Sequence, residues 1–123
     1  MRSLRIISNK KLPFLQYIQS GKKKAEGRIA INFVKSFKTG DLLKLENSSE
    51  YAVCEITYLN FYSDFEEMLT SEGLKNMLPF ADSLEEGIKI YKSFPGAKRV
   101  NELGCCAIGI KHISSKLNFK IMR

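Results

Sequence analysis

The sequence predicts an α+β domain, a small β-barrel with helices at one mouth. Three observations predict it. Strand-like apolar runs occupy both ends of the chain, the middle is acidic and helical in pattern, and strands and helices do not alternate in a βαβ rhythm. No G-x-G-x-x-G and no P-loop is present, which argues against a Rossmann-type nucleotide enzyme. The 123 residues have the length of one domain, read as 1–123. Folding a chain of this size buries roughly two-thirds of its surface, so no disulfide or metal is needed to supplement the core.

Leu4–Ser8 (LRIIS) reads as a strand and Asn9–Lys11 as a polar turn. Pro13 opens a helix in which Leu12, Leu15 and Ile18 recur every three residues, and Gly21 stops it as a C-cap glycine. Ile29–Val34 reads as a strand from its β-branched and aromatic content. Thr39-Gly40-Asp41 is a turn into a strand marked by Leu42, Leu43 and Leu45. Asn47–Glu50 is a hairpin loop, and Tyr51–Tyr62 is a long alternating strand antiparallel to the one before it. Ser63 is read as the cap of a helix with Glu66 as its box partner, Ser71–Pro79 as a turn and short helix, and Ser83 as the cap of another helix with Glu86. Pro95-Gly96 ends that last helix, Gly104–Ile113 is an apolar strand, and Lys116–Met122 is read as a further strand.

Charge is distributed unevenly. Residues 1–46 carry eleven Lys/Arg against three acids, 47–96 three against nine, and 97–123 six against one. Basic ends that meet in the fold would make a positive face suited to phosphate backbones. Cys54, Cys105 and Cys106 lie in apolar runs without zinc spacing and are read as buried reduced thiols. No metal or cofactor is implied. The chain shows no signal-peptide pattern and no apolar run of the roughly 18 residues a membrane span needs. The expectation is a soluble intracellular protein, cytoplasmic, or nuclear if eukaryotic or viral.

The chemically informative stretch is Gly21-Lys22-Lys23-Lys24-Ala25-Glu26-Gly27-Arg28. Four cations and one carboxylate within eight residues make a local positive field that favours a bound anion and lowers a lysine pKa. Side chains alternate along a strand, so Lys24, Glu26 and Arg28 share a face while Lys23 points away. Lys23 and Glu26 meet only if Lys23 lies in the turn before the strand, or if a bulge intervenes. Tyr91 and Phe94 follow Ile88 at helical spacing and read either as core or as a stacking platform for an unpaired base.

Gly21, Lys23, Glu26 and Arg28 resemble the G-x-K-x-x-E-x-R signature of ASCH proteins. FKTGDLLKLEN, FEEMLTSEGLKNMLP, SLEEGIKIYKSF and GCCAIGIKHI resemble, in the same order, later segments of one subgroup of small ASCH proteins. The resemblance covers roughly residues 10–113. It implies a PUA-like β-barrel with a helical insertion between late strands, and a cleft lined by the signature. Families with this fold are mostly tied to RNA. Some small bacterial ASCH proteins remove acetyl from N4-acetylcytidine with a Lys, a Thr and a Glu, and another is a single-strand ribonuclease. By position the Lys falls on Lys23 and the Glu on Glu72, while Glu26 stands where the Thr would be.

These residues leave three readings. The first is a binding module for single-stranded RNA or a nucleoside, with Lys22, Lys24, Arg28, Tyr91 and Phe94 as contacts. The second is a metal-independent hydrolase in which Lys23, Glu26 and Glu72 are catalytic. The third is a domain that docks a protein partner on its acidic helices. Pairing with Glu26 is expected to keep Lys23 protonated, a ligand for anions or carbonyls rather than a base.

Overall fold

The computed structural model describes residues 1–117. In chain order the elements are β1 (Arg2–Arg5), α1 (Phe14–Gln19), β2 (Ala25–Ile29), α2 (Asn32–Lys35), β3 (Leu42–Glu46), β4 (Glu50–Tyr62), α3 (Phe65–Glu72), α4 (Leu74–Met77), α5 (Leu84–Lys92), a 3-10 turn (Ala97–Arg99), α6 (Val100–Leu103) and β5 (Cys105–Leu117). The strands form one sheet in the order β1-β3-β4-β5-β2. β1 runs parallel to β3, and the other neighbours are antiparallel. The sheet curls into a half-barrel, and α3 to α6 form the helical insertion between β4 and β5. The expected α+β architecture is therefore present. β1 and β2 are the two outer strands, and the open seam between them is where the site forms.

The core lies between the sheet and the helices α1 and α3, which pack on β4 and β5. Leu15, Ile18, Leu43, Leu45, Ile56, Met68, Leu69 and Ile108 are fully buried there. Each such side chain contributes about 1.5–3 kcal/mol of transfer free energy. Among the described residues no helix is long and apolar enough to cross a membrane. The three cysteines are buried and free. Burial pushes each of their thiols up to about 12, which leaves them protonated and poorly nucleophilic.

The hairpin of β3 and β4 forms as the alternation predicts, with Leu43 opposite Cys54 and Leu45 opposite Ala52. Gly21 follows α1 with a positive φ of 78°, as its C-cap reading requires. Ser83 caps α5 by accepting from the Glu86 N–H at 3.1 Å.

Four boundaries differ from the sequence reading. The first strand is Arg2–Arg5 rather than Leu4–Ser8, because its parallel partner runs only from Leu43 to Glu46. The strand placed at Ile29–Val34 lies earlier, at Ala25–Ile29, where it pairs with Gly109 to Cys105. Asn32–Lys35 is instead a short helix, so the apolar run INFV straddles a corner. Short apolar runs do not by themselves distinguish helix from strand. α3 is capped by Asp64, which accepts from the Glu67 N–H, while Ser63 donates to the Glu67 carboxylate. The final strand is continuous from Cys105 to Leu117. The part of the Lys116–Met122 reading beyond Leu117 lies outside the described residues.

Candidate functional site

The chain leaves α1 through Gly21 and does not enter β2 until Ala25. Lys23 therefore sits in the turn before the strand. Its N–H donates to the Tyr17 carbonyl at 2.9 Å, and the Lys24 N–H donates to the Asn76 carbonyl at 2.6 Å. These two bonds aim the Lys23 side chain inward, where it is 1% exposed. Its ammonium is 3.4 Å from Glu26 Oε1, donates to the Met77 carbonyl, and lies 5.0 Å from the centroid of the Phe14 ring.

Glu26 is equally enclosed, at 4% exposure. Its other oxygen accepts from Arg28 Nε at 3.2 Å and from Arg28 Nη2 at 2.9 Å. Arg28 Nη2 also donates to the Arg5 carbonyl at 2.7 Å, so its guanidinium bridges the seam from β2 to β1. One buried carboxylate thus joins a buried ammonium to a half-buried guanidinium. Burial holds the Lys23 amine below its ordinary value, against the opposing pull of Glu26 and with the help of Arg28. Burial alone would raise the Glu26 carboxyl. The Lys23 and Arg28 charges outweigh it and hold that carboxyl below the usual carboxylate range.

Beside this ion chain is a cavity of about 420 Å³ at the seam. Arg5, Ile6 and Ile7 line one side, Glu26 to Ile29 the other, and Phe14, Phe65, Tyr91 and Phe94 close it. Its size falls in the range of small-molecule sites, which are mostly apolar with a few placed polar groups. Lys23 is not part of its wall; it stands behind Glu26, and Arg5 and Arg28 are the cations among the lining residues.

Tyr91 is 2% exposed and stacks on Phe65 with centroids 5.5 Å apart. Its ring lies so close to β2 that a Cβ on Gly27 would fall 2.8 Å from Cε1, Cζ and Oη. Only glycine permits that approach. Among the described residues the Tyr91 hydroxyl has no hydrogen-bond partner; the Gly27 N–H nearby favours its phenolate without meeting hydrogen-bond geometry. Burial still dominates and keeps the phenol protonated. Phe94 is half-buried, 6.0 Å from Tyr91, and is the more accessible aromatic of the pair.

The sequence-selected residues separate as follows. Lys23, Glu26 and Arg28 come together, and Tyr91 and Phe94 line the adjoining cavity. Lys22 and Lys24 are exposed and outside its wall. Glu72 ends α3, and the helical insertion does fold over Lys23 through Met77, yet the Glu72 carboxylate turns toward β4. There it accepts from Tyr58 Oη at 2.7 Å, from Asn60 Nδ2 at 2.9 Å, and from the Tyr62 hydroxyl. Those donors hold it ionised against burial and separate it from Lys23. Arg5, Phe14 and Phe65 are cavity residues that sequence reasoning did not select. Nothing in their own neighbourhoods marks them, because they reach the seam from three separate elements.

Fold and site together define an α+β half-barrel with a buried Lys–Glu–Arg chain beside a seam cavity. Residues 11–95 match the family model described as the ASCH domain, and the chain belongs to the ASCH domain family. It is similar to a crystal structure titled hypothetical protein PH0355, at 33% identity and a TM-score of 0.79, over 92% of this chain and 100% of that one. It is also similar to the solution structure of protein PF0455 from Pyrococcus furiosus, at 31% identity and a TM-score of 0.72, over 92% of this chain and 97% of that one. No curated protein matches the chain.

Proposed function

We propose that this protein is a binding module for single-stranded RNA or a nucleoside, and that the base enters the cavity between β1 and β2. The observation that carries this reading is the placement of Arg28. Glu26 and the Arg5 carbonyl fix its Nε and Nη2, and its side chain is 25% exposed beside aromatic walls. A pre-oriented guanidinium beside Phe94 supplies donors for base or phosphate oxygens and a surface for stacking. Preorganisation also reduces the entropy lost on binding.

The hydrolase reading needs Lys23 as a base that touches substrate. Lys23 instead lies behind Glu26, with its amine engaged by Glu26 and the Met77 carbonyl, and Glu72 is held by three donors on β4. Both placements favour binding over catalysis.

The test is titration of the wild-type protein with cytidine and uridine monophosphates and with a single-stranded RNA 10-mer at several salt concentrations. Binding should weaken on Arg28→Lys, which keeps the charge and loses the fork. For the 10-mer, log affinity should fall with log salt by about 0.7 per phosphate contacted. Absence of binding at low salt, or binding indifferent to Arg28→Lys, refutes the reading. Turnover of N4-acetylcytidine that Lys23→Met abolishes would establish the hydrolase instead.

A further inference from the structure

β1 carries one arginine near each end, Arg2 and Arg5, and they serve different surroundings. The Arg5 end lines the seam cavity. At the other end the Arg2 guanidinium lies 5.4 Å from the ring centroid of Phe33 and 5.5 Å from that of Phe37, and it donates to the Ser36 hydroxyl. The two rings meet edge to face at 5.1 Å. Phe37 is buried, whereas Phe33 is 43% exposed. An arginine and a phenylalanine on one surface shelf are the side chains on which unpaired bases stack.

An open trough adjoins this shelf, lined by Arg2, Ser36, Lys38 and Asp41 among others. Lys35 and Lys38 are exposed beside it. Asp41 is the only acid from β1 to the start of β3 apart from the buried Glu26, and its carboxylate accepts from the Lys38 N–H at 2.9 Å. Arg2, Lys35 and Lys38 are thus the cations of the shelf, with Asp41 and, opposite Leu42 on β4, Glu55 as the acids beside the trough, and the Phe33 ring is in reach of solvent. Three residue steps separate Arg2 from Arg5, about 10 Å along a strand, and the alternation of β1 turns their side chains to opposite faces. α2, which carries Phe33, follows β2 after Ala30 and Ile31, and the last β2 residue, Ile29, lines the cavity. Cavity and shelf thus lie at the two ends of β1, on opposite sides of its edge.

We infer that the Arg2–Phe33 shelf, with Lys35 and Lys38, is a second nucleotide subsite, so that the ligand is a single-stranded RNA crossing the edge of the outer strand β1 from cavity to shelf rather than a free nucleoside. This rests on the cavity being the base site argued above, and it adds extent to it. A base in the cavity leaves its strand at the Arg5 end of β1. A neighbouring base stacks on Phe33, and the intervening phosphates face Arg2, Lys35 and Lys38. The exposed ring and the flanking cations are matched to a polyanion with flat bases.

The experiment compares a nucleoside monophosphate, a single-stranded RNA 10-mer and a polyglutamate peptide, each titrated against wild type, Phe33→Leu and Lys35→Gln/Lys38→Gln. Thermal midpoints first establish that the variants fold. The expected result is 10-mer binding well above that of the monophosphate in wild type. Phe33→Leu should weaken the 10-mer by roughly 5- to 150-fold, the range for loss of one stacked base, and leave the monophosphate unchanged. The lysine variant should reduce the salt slope of the 10-mer by about 0.7 for each phosphate that its missing charges no longer neutralise. A monophosphate that binds as tightly as the 10-mer, or a Phe33→Leu variant silent toward the 10-mer, overturns the subsite while leaving the cavity reading intact. A 10-mer that binds in a Phe33-dependent way while the monophosphate does not bind overturns the cavity as a base site and, with it, the path from cavity to shelf. Polyglutamate binding with equal affinity and equal dependence on Phe33 overturns the assignment to nucleic acid, and no binding of either RNA ligand overturns both proposals.

Discussion

Removing the Glu26 charge tests the electrostatics of the site most directly. Lys23 and Glu26 are 1% and 4% exposed, so neither charge is screened by water. Among the described residues Lys23 has one counter-charge, Glu26, and one neutral acceptor, the Met77 carbonyl. Glu26 has two cationic partners, and Arg28 contributes two hydrogen bonds. The two single substitutions are therefore unequal. Glu26→Gln strands a buried ammonium, and removing one partner of a buried pair costs about 3–5 kcal/mol. Lys23→Met leaves Glu26 held by Arg28, and its cost is that of a charged hydrogen bond, about 1.5–3 kcal/mol. For a domain of this size Glu26→Gln should lower Tm by roughly 10–20 °C.

The pH dependence has a definite sign. Glu26 sits below its ordinary value of 4.5 when folded. The folded chain then binds fewer protons than the unfolded one in acid, and stability is lost as pH falls below about 4.5. Lys23 sits below its ordinary value of 10.5. Its folded form also binds fewer protons there, so stability rises as pH climbs toward 10.5. Glu26→Gln removes the group that holds the Lys23 proton, so the alkaline rise should begin at lower pH. Its slope is limited to about 1.4 kcal/mol per pH unit for one proton. Urea unfolding followed by circular dichroism between acid and alkaline pH measures all of this. A Glu26→Gln cost below about 1 kcal/mol, or a Lys23→Met cost equal to it, refutes the reasoning.

Three further outcomes follow from single contacts. Tyr91→Phe removes a buried hydroxyl that has no partner among the described residues, so stability should stay level or rise by up to about 1 kcal/mol; a Tm drop would mean that the hydroxyl is paired. Gly27→Ala places a methyl 2.8 Å from the fixed Tyr91 ring and should cost about 1–3 kcal/mol by overpacking, a loss that the double variant Gly27→Ala/Tyr91→Leu should partly recover in urea unfolding. Glu72→Gln should bring down the phenol of Tyr62, now pushed up to about 12 by burial and by its bond to Glu72, as read by ultraviolet titration of tyrosinate; an unchanged curve would contradict that bond.

The amino-acid sequence by itself determined the elements whose signals are local. Alternation in LLKLE and YAVCEITYLNFY specified the β3–β4 hairpin, because the strand period of two places every second residue on the buried face. Gly21 and Ser83 specified where α1 ends and α5 begins, because caps act on backbone groups within one turn. The grouping of Lys23, Glu26 and Arg28 was also legible, since all three lie within six residues of one another and only the start of β2 had to be known. That start was not legible. β2 begins at Ala25 because its ladder to β5 begins at Gly109, eighty-odd residues away in sequence. The same dependence on a distant partner makes INFV look like a strand when it is a helix corner.

Tertiary structure alone decided the rest. Lys23 is buried because α4 carries the Met77 carbonyl over it, and no local signal encodes that bond. Glu72 is turned from Lys23 by Tyr58, Asn60 and Tyr62, which the long strand β4 presents as three alternate residues on one face. The cavity exists because the strand order leaves β1 and β2 at opposite edges of a curled sheet, facing each other across a seam that Arg28 bridges. Propensity and capping act over a few residues, whereas burial and charge pairing depend on which distant segments the fold brings together.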